Sequence, residues 1–338
     1  MKKKNIFFIF LILIFAGVLF YLVYRKIGTE KIWQSLLSFS PIGILVVFLM
    51  MIISHIIGIL RWQIILKDKG YHFEFKELIL PWFVNFGITF FAPFAFAGAE
   101  TMRASIVKEK KKEARWKKVL SSVFIDKLFE GTTSILMIFL GILSLVFYSV
   151  NLSYKMWLFF LFLMIPILGV GYFYFKAFNS QSIAKFAEKP LRKIFNHRAE
   201  SIFQIEEEIF NFLDKNNKNF KEAFFLAILR QVFDFLACFF ILFFMGANLN
   251  ILQSIAVIGF IYISFYIIPV PAAIGILEII QAVIFNHFGF APQLGAAFSL
   301  LYRAFFFVFA FLGIVFSFRV ILRWMGKSIS EMVKENNK

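Results

Sequence analysis

From residue 6 to residue 318 the chain is a succession of apolar runs, most of them about long enough to cross a bilayer, separated by basic stretches. With 61% hydrophobic and only 17% charged residues, this pattern places it among all-α polytopic membrane proteins. The runs fall at 6–24, 41–62, 119–150, 156–175, 223–245, 251–268, 274–288 and 294–318, which gives about six to eight transmembrane helices. Residues 1–338 read as a single integral membrane domain, with a first half at about 41–150 and a second at about 223–318. Phe, Ile and Lys are raised together along the whole chain, so the 52 phenylalanines read as compositional bias at lipid-facing positions.

A net charge of +16 would suggest nucleic acid in a soluble protein, but here the basic residues sit between apolar runs and face anionic lipid headgroups. Residues 103–118 carry eight basic side chains against Glu109 and Glu113, and the polar stretch 176–222 is also basic. Stretches 101–118 and 176–222 therefore read as cytoplasmic loops. The run at 6–24 has no small-residue cleavage motif after it and is closed by Arg25 and Lys26, so it reads as an uncleaved first span. Both termini are expected on the cytoplasmic side. Within 176–222, Ile202, Ile205, Ile209, Phe212 and Leu213 recur at helical spacing. That helix either lies on the bilayer surface or packs on loops of the same protein. Cys238, the lone cysteine, reads as a packing residue.

Residues 78–103 are as apolar as a span but contain Pro81, Asn85, Gly87, Pro93 and Gly98 and end on Glu100 and Arg103. A broken backbone is tolerated in hydrocarbon only where protein or a watery cavity satisfies it. With cytoplasmic basic flanks on both sides the stretch enters and leaves on the same face, which predicts a re-entrant hairpin; with the Arg25 loop as the cytoplasmic one instead, it spans. A second stretch, 267–278, carries Pro269, Pro271, Gly275 and Glu278 and either forms a similar hairpin or belongs to two crossings. Proline and glutamate are seven residues apart in both (Pro93 to Glu100, Pro271 to Glu278), and each is preceded by a span bearing a buried arginine, Arg61 or Arg230. These matches suggest an inverted repeat, the plan on which many secondary transporters build a midplane site.

Charges inside apolar runs are costly and become functional candidates. Glu278 and Arg303 are deeply embedded and could satisfy each other. Arg230 and Asp234 are four residues apart on one helix face. Asp126, Lys127 and Glu130 open the 119–150 span, where access to the interface looks easy, and Glu100 and Arg103 end the first hairpin. Carboxylates mixed with arginines suit an amphiphilic ligand with a charged head, arginine being the usual partner of phosphate. His55, His72, His197 and His287 lack metal-ligand spacing, and no phosphate-binding loop or nucleophile elbow is present. No cofactor, nucleic-acid partner or catalytic residue is expected.

At these residues the chain resembles the lysylphosphatidylglycerol synthetase/flippase-like family of integral membrane proteins, from Arg61-Trp62 to Gly313. The resemblance rests on Asn85, Pro93, Gly98, Glu100 and Arg103, then Asp126-Lys127 with Glu130, the block from Pro269 to Glu278, and Tyr302-Arg303. Alanine stands at 97, 99, 272 and 273 where the family pattern has paired glycines. The resemblance implies a stand-alone flippase-like unit in a prokaryotic cell membrane, moving a phospholipid or aminoacylated phospholipid between leaflets. Other readings are a membrane-embedded lipid-modifying enzyme and an accessory anchor for a separate lipid synthase. The partners expected are membrane phospholipid, a separate lipid synthase, or further copies of the chain.

Overall fold

The computed structural model describes residues 39–91, 96–111, 113–148, 154–179, 181–188, 199–267 and 271–336, with a few isolated positions. The expected span at 6–24, Pro93 and Pro269 lie outside the described residues. The described residues form helices and connecting turns. In order these are α1 (Pro41–Asp68), α2 (Phe75–Phe91), α3 (Phe96–Lys110), α4 (Trp116–Tyr148), α5 (Tyr154–Phe178), α6 (Ala199–Phe212), α7 (Lys218–Phe244), α8 (Ile251–Ile267), α9 (Ile276–His287) and α10 (Pro292–Asn336), with short 3-10 turns at Ala184–Ala187 and Pro271–Ala273.

Among the described residues, four helices are long and apolar enough to cross a bilayer: α1, α4, α7 and the Pro292–Val320 part of α10. Shorter apolar stretches lie in α5, α8 and α9. At 15 and 12 residues, α3 and α9 are too short to span a hydrocarbon core of about 30 Å as straight helices. Local sequence explains several ends. Pro41 opens α1 after an extended Ser40, and Gly70, at φ 89, follows its end. Asn217 caps α7 by accepting from the Asn219 N–H.

The two halves interlock. Helix α1 packs along α7, α2 along α10, and α4 along α8, each time joining one half to the other. All three pairs are antiparallel. Gly43 lies against Phe244, Ser54 against Asp234, and Asp68 accepts from the side chains of Asn217 and Asn219, so α1 and α7 run in opposite directions. Gly141 meets Gly259 while Asn250 donates to the Tyr148 hydroxyl, and Gly87 meets Gly313 while Phe91 stacks edge-on to Phe307. The same sequence interval separates Gly87 from Gly259 and Gly141 from Gly313. That offset relates α2 to α8, α4 to α10 and α1 to α7, and the related helices α1 and α7 run in opposite directions, as an inverted repeat requires.

Two apolar cores stack end to end. One gathers α8, α9 and α10 with the N-terminal half of α1 and the C-terminal halves of α4 and α7. The other gathers α2, α3 and α6 with the opposite ends of α1, α4 and α7. Between them lie Ser54 on α1, Glu130 on α4, and Arg230 and Asp234 on α7.

Several expectations change. Helix α2 runs through Pro81 and Gly87 instead of turning there, and Gly98 lies in the first turn of α3. Most of the predicted loop 101–118 is helical, because α3 continues to Lys110. Helix α10 continues well past residue 318. The amphipathic helix α6 packs on α4 of the same protein, burying Phe210, Phe212 and Leu213 near Phe129 and Phe220.

The glycine crossings leave no room for a side chain. A Cβ on Gly259 would lie 2.7 Å from the Met137 carbonyl oxygen, and one on Gly313 would overlap that of Phe83. Gly259→Ala and Gly313→Ala are each expected to destabilise the purified protein by about 1–3 kcal/mol in thermal unfolding. Gly169→Ala, where nothing lies within 4 Å, is expected to be near neutral.

Candidate functional site

A cavity of about 470 Å³ opens between the α2/α10 pair and the α4/α8 pair. Helix α2 contributes Trp82, Asn85, Phe86, Thr89 and Phe90, and α10 contributes Tyr302 and Phe306. Lys127, Glu130, Gly131 and Ser134 of α4 face them, with Tyr262 and Phe265 of α8. Arg103, Arg230 and Ala272 complete the lining. One part of the wall is aromatic and the other carries charge.

Asp126 anchors the charged part. Fully buried, it accepts from Arg61 Nε at 2.7 Å and from Arg103 Nη1 at 2.8 Å, while Arg61 Nη2 also reaches its main-chain oxygen at 3.3 Å. The expectation of easy access to the interface is therefore overturned: α4 begins at Trp116, which carries Asp126 well into the helix and away from solvent. Glu100 and Arg103 are also buried, each only 1% exposed, rather than partly solvated at a hairpin end. Lys127 bridges two carboxylates, at 2.8 Å from Glu130 and 3.5 Å from Glu100. Arg230 lies 3.4 Å from Glu130 and 3.8 Å from Asp234, whose other oxygen accepts from Ser54. The four basic and four acidic groups balance. Burial at this depth demands that balance, since an unpaired charge out of water costs several kcal/mol.

The second predicted group sits at the start of α9. Glu278 pairs with Arg303, and its other oxygen accepts from the Gly275 N–H at 3.0 Å, closing the first turn. Tyr302, beside Arg303, stacks on Phe306 in the cavity wall with ring centroids 4.4 Å apart. The turn before α9 holds Ala272 and Ala273 at φ 50 and 49, left-handed backbone that costs an alanine roughly 1–2 kcal/mol. Alanine thus occupies these two positions with glycine-like geometry.

The structure brings together Asn85, Glu100, Arg103, Asp126, Lys127, Glu130, Arg230 and Asp234, and separately Gly275, Glu278 and Arg303. Pro271 opens the 3-10 turn that adjoins the cavity, and Gly98, on α3, is not among the residues that line it. Not singled out as site residues were Arg61, Trp62, Trp82 and Tyr262. A buried arginine beside a tryptophan was the available signal for the first two.

Residues 8–313 match the family described as the lysylphosphatidylglycerol synthase TM region. The chain belongs to this family. Among its relatives, the UPF0104 membrane protein MJ1595 of Methanocaldococcus jannaschii is 25% identical over 304 residues, covering 87% of this chain and 89% of the relative. The UPF0104 membrane protein PH1989 of Pyrococcus horikoshii is 22% identical over 306 residues, covering 87% and 91%. No solved structure matches. As a member of the lysylphosphatidylglycerol synthase TM-region family with four bilayer-length apolar helices, the chain is an integral membrane protein.

Asp126→Asn removes the anion shared by Arg61 and Arg103 and is expected to lower stability by about 3–5 kcal/mol, read from thermal unfolding. Ala272→Gly and Ala273→Gly relieve left-handed strain and are expected to raise it, by up to about 1 kcal/mol each.

Proposed function

We propose that this protein is a lipid transporter that carries a phospholipid headgroup across the membrane through the cavity between α2/α10 and α4/α8, without covalent chemistry. The observation that carries this reading is the mixed cavity itself: a headgroup-sized space, aromatic on one side and charged on the other, between two helix pairs of an inverted repeat. Interrupted helices around a midplane site, in halves of opposite direction, are a recurring basis for alternating access. In this reading α2–α3 and α8–α9 are re-entrant hairpins, and α1/α7 is the frame against which the glycine-clipped pairs rock.

The lining favours a headgroup with charges of both signs. Lys127 and Arg230 suit a phosphate, and Glu130 and Asp234 suit an ammonium group. The family's association with lysylphosphatidylglycerol, which carries both, agrees with this. The phenylalanines leave an apolar route for acyl chains. The basic flanks support a reading with the termini and the α5–α7 connection on the cytoplasmic side, in a prokaryotic cell membrane.

The test is reconstitution into vesicles holding trace lipid with a fluorophore on its acyl chain, followed by bleaching from outside. Lysylphosphatidylglycerol, phosphatidylglycerol and phosphatidylcholine are compared. The protein is expected to expose inner-leaflet lipid to the bleach, fastest for the first. Lys127→Gln and Arg230→Gln are each expected to slow this roughly tenfold or more, each removing a charge-assisted contact. A rate equal to protein-free vesicles for all three lipids would sink the proposal. A new lipid species in the same vesicles by mass spectrometry would favour an enzyme.

A further inference from the structure

Trp82 is where the cavity, the buried charges and the helix frame meet. Its indole lines the cavity, and its Nε1–H donates to His55 Nδ1 at 3.2 Å. Its six-membered ring fills a notch at Gly58 of α1, where a Cβ would overlap it. Two guanidinium groups lie over this one indole, Arg103 from α3 at 4.8 Å and Arg230 from α7 at 5.2 Å to the ring centroid. Arg103 also lies against Trp62, at 3.7 Å. An arginine held by its face keeps its N–H edge for hydrogen bonding. Both edges have capacity left: Arg103 Nε and Nη2 and Arg230 Nε are buried without a hydrogen-bond partner, a costly arrangement for charged donors.

We infer that Trp82 is the positioning residue of an anion receptor, holding Arg103 and Arg230 so that their N–H edges converge on one phosphate-type group. The inference rests on the headgroup reading of this cavity. It adds the element that orients the two arginines and names their ligand as a phosphoryl anion, from a lipid headgroup or from free phosphate. The anion takes up donors that the resting protein leaves without a hydrogen bond. His55 and Gly58 hold the platform in turn, so α1 acts on the site without touching the ligand.

The test measures binding to the full chain in detergent by thermophoresis, with inorganic phosphate, glycerol phosphate and phosphatidylglycerol-doped micelles as probes. Trp82→Phe keeps an aromatic ring and is expected to bind within about threefold of the parent, whereas Trp82→Leu loses the ring and is expected to weaken binding about tenfold or more. Gly58→Ala, which displaces the indole, is expected to resemble Trp82→Leu, and Trp116→Phe to be unchanged. Preference for the doped micelles would identify the headgroup as the source; equal affinity for inorganic phosphate would identify the free ion. Rescue by phenylalanine separates positioning from mere folding. Leucine binding as tightly as tryptophan, or phenylalanine failing as badly as leucine in a protein that still melts cooperatively, would overturn the inference. So would a parent protein that moves lipid yet binds no probe. A parent protein that binds phosphate but moves no lipid would leave the receptor standing and remove the transport reading.

Discussion

A carboxylate sealed from water must find its counter-charges within the protein, and Asp126 finds two, Arg61 from α1 and Arg103 from α3. That shared anion fixes where α1, α3 and α4 stand relative to one another. Everything on the charged side of the cavity follows from it. Lys127, the next residue, is directed toward Glu100 and Glu130, and Glu130 in turn reaches Arg230 on α7. The network connects both halves of the chain through side chains that hydrocarbon would not accept singly. Its near balance of charge allows a site rich in ions to exist between two apolar cores.

The glycine crossings supply the complementary constraint. Close approach of α2 to α10 and of α4 to α8 makes each pair a unit, with main-chain atoms in contact. The cavity lies between the units.

Much of this was legible in the sequence because hydrophobic length and buried charge are local signals. The helical class and the pairs Glu278–Arg303 and Arg230–Asp234 could be read from composition and spacing. What spacing could not supply was rotation about each helix axis. Asp126 looked close to water because it lies near the start of an apolar run, yet the helix starts earlier and turns it inward. Gly87 looked like a place to turn, but it marks a helix crossing, since a glycine read in isolation signals bending and close approach equally. Trp82 carried no signal because its role depends on a notch in α1 and on arginines from two other helices. The alanines at 272 and 273 gave the opposite lesson: the turn keeps the left-handed backbone that glycine would favour.

The exchange of helices between halves bears on how the protein is made. Gly87 of α2 emerges from the ribosome long before Gly313 of α10, a delay of roughly ten to forty seconds at ordinary rates of synthesis. During that interval α2, with Asn85 and Pro81 inside it, can pack on α1 and α3 but lacks the helix it crosses at Gly87. Neither half buries its own crossing glycines, so the first half completes its packing only when the last helix arrives.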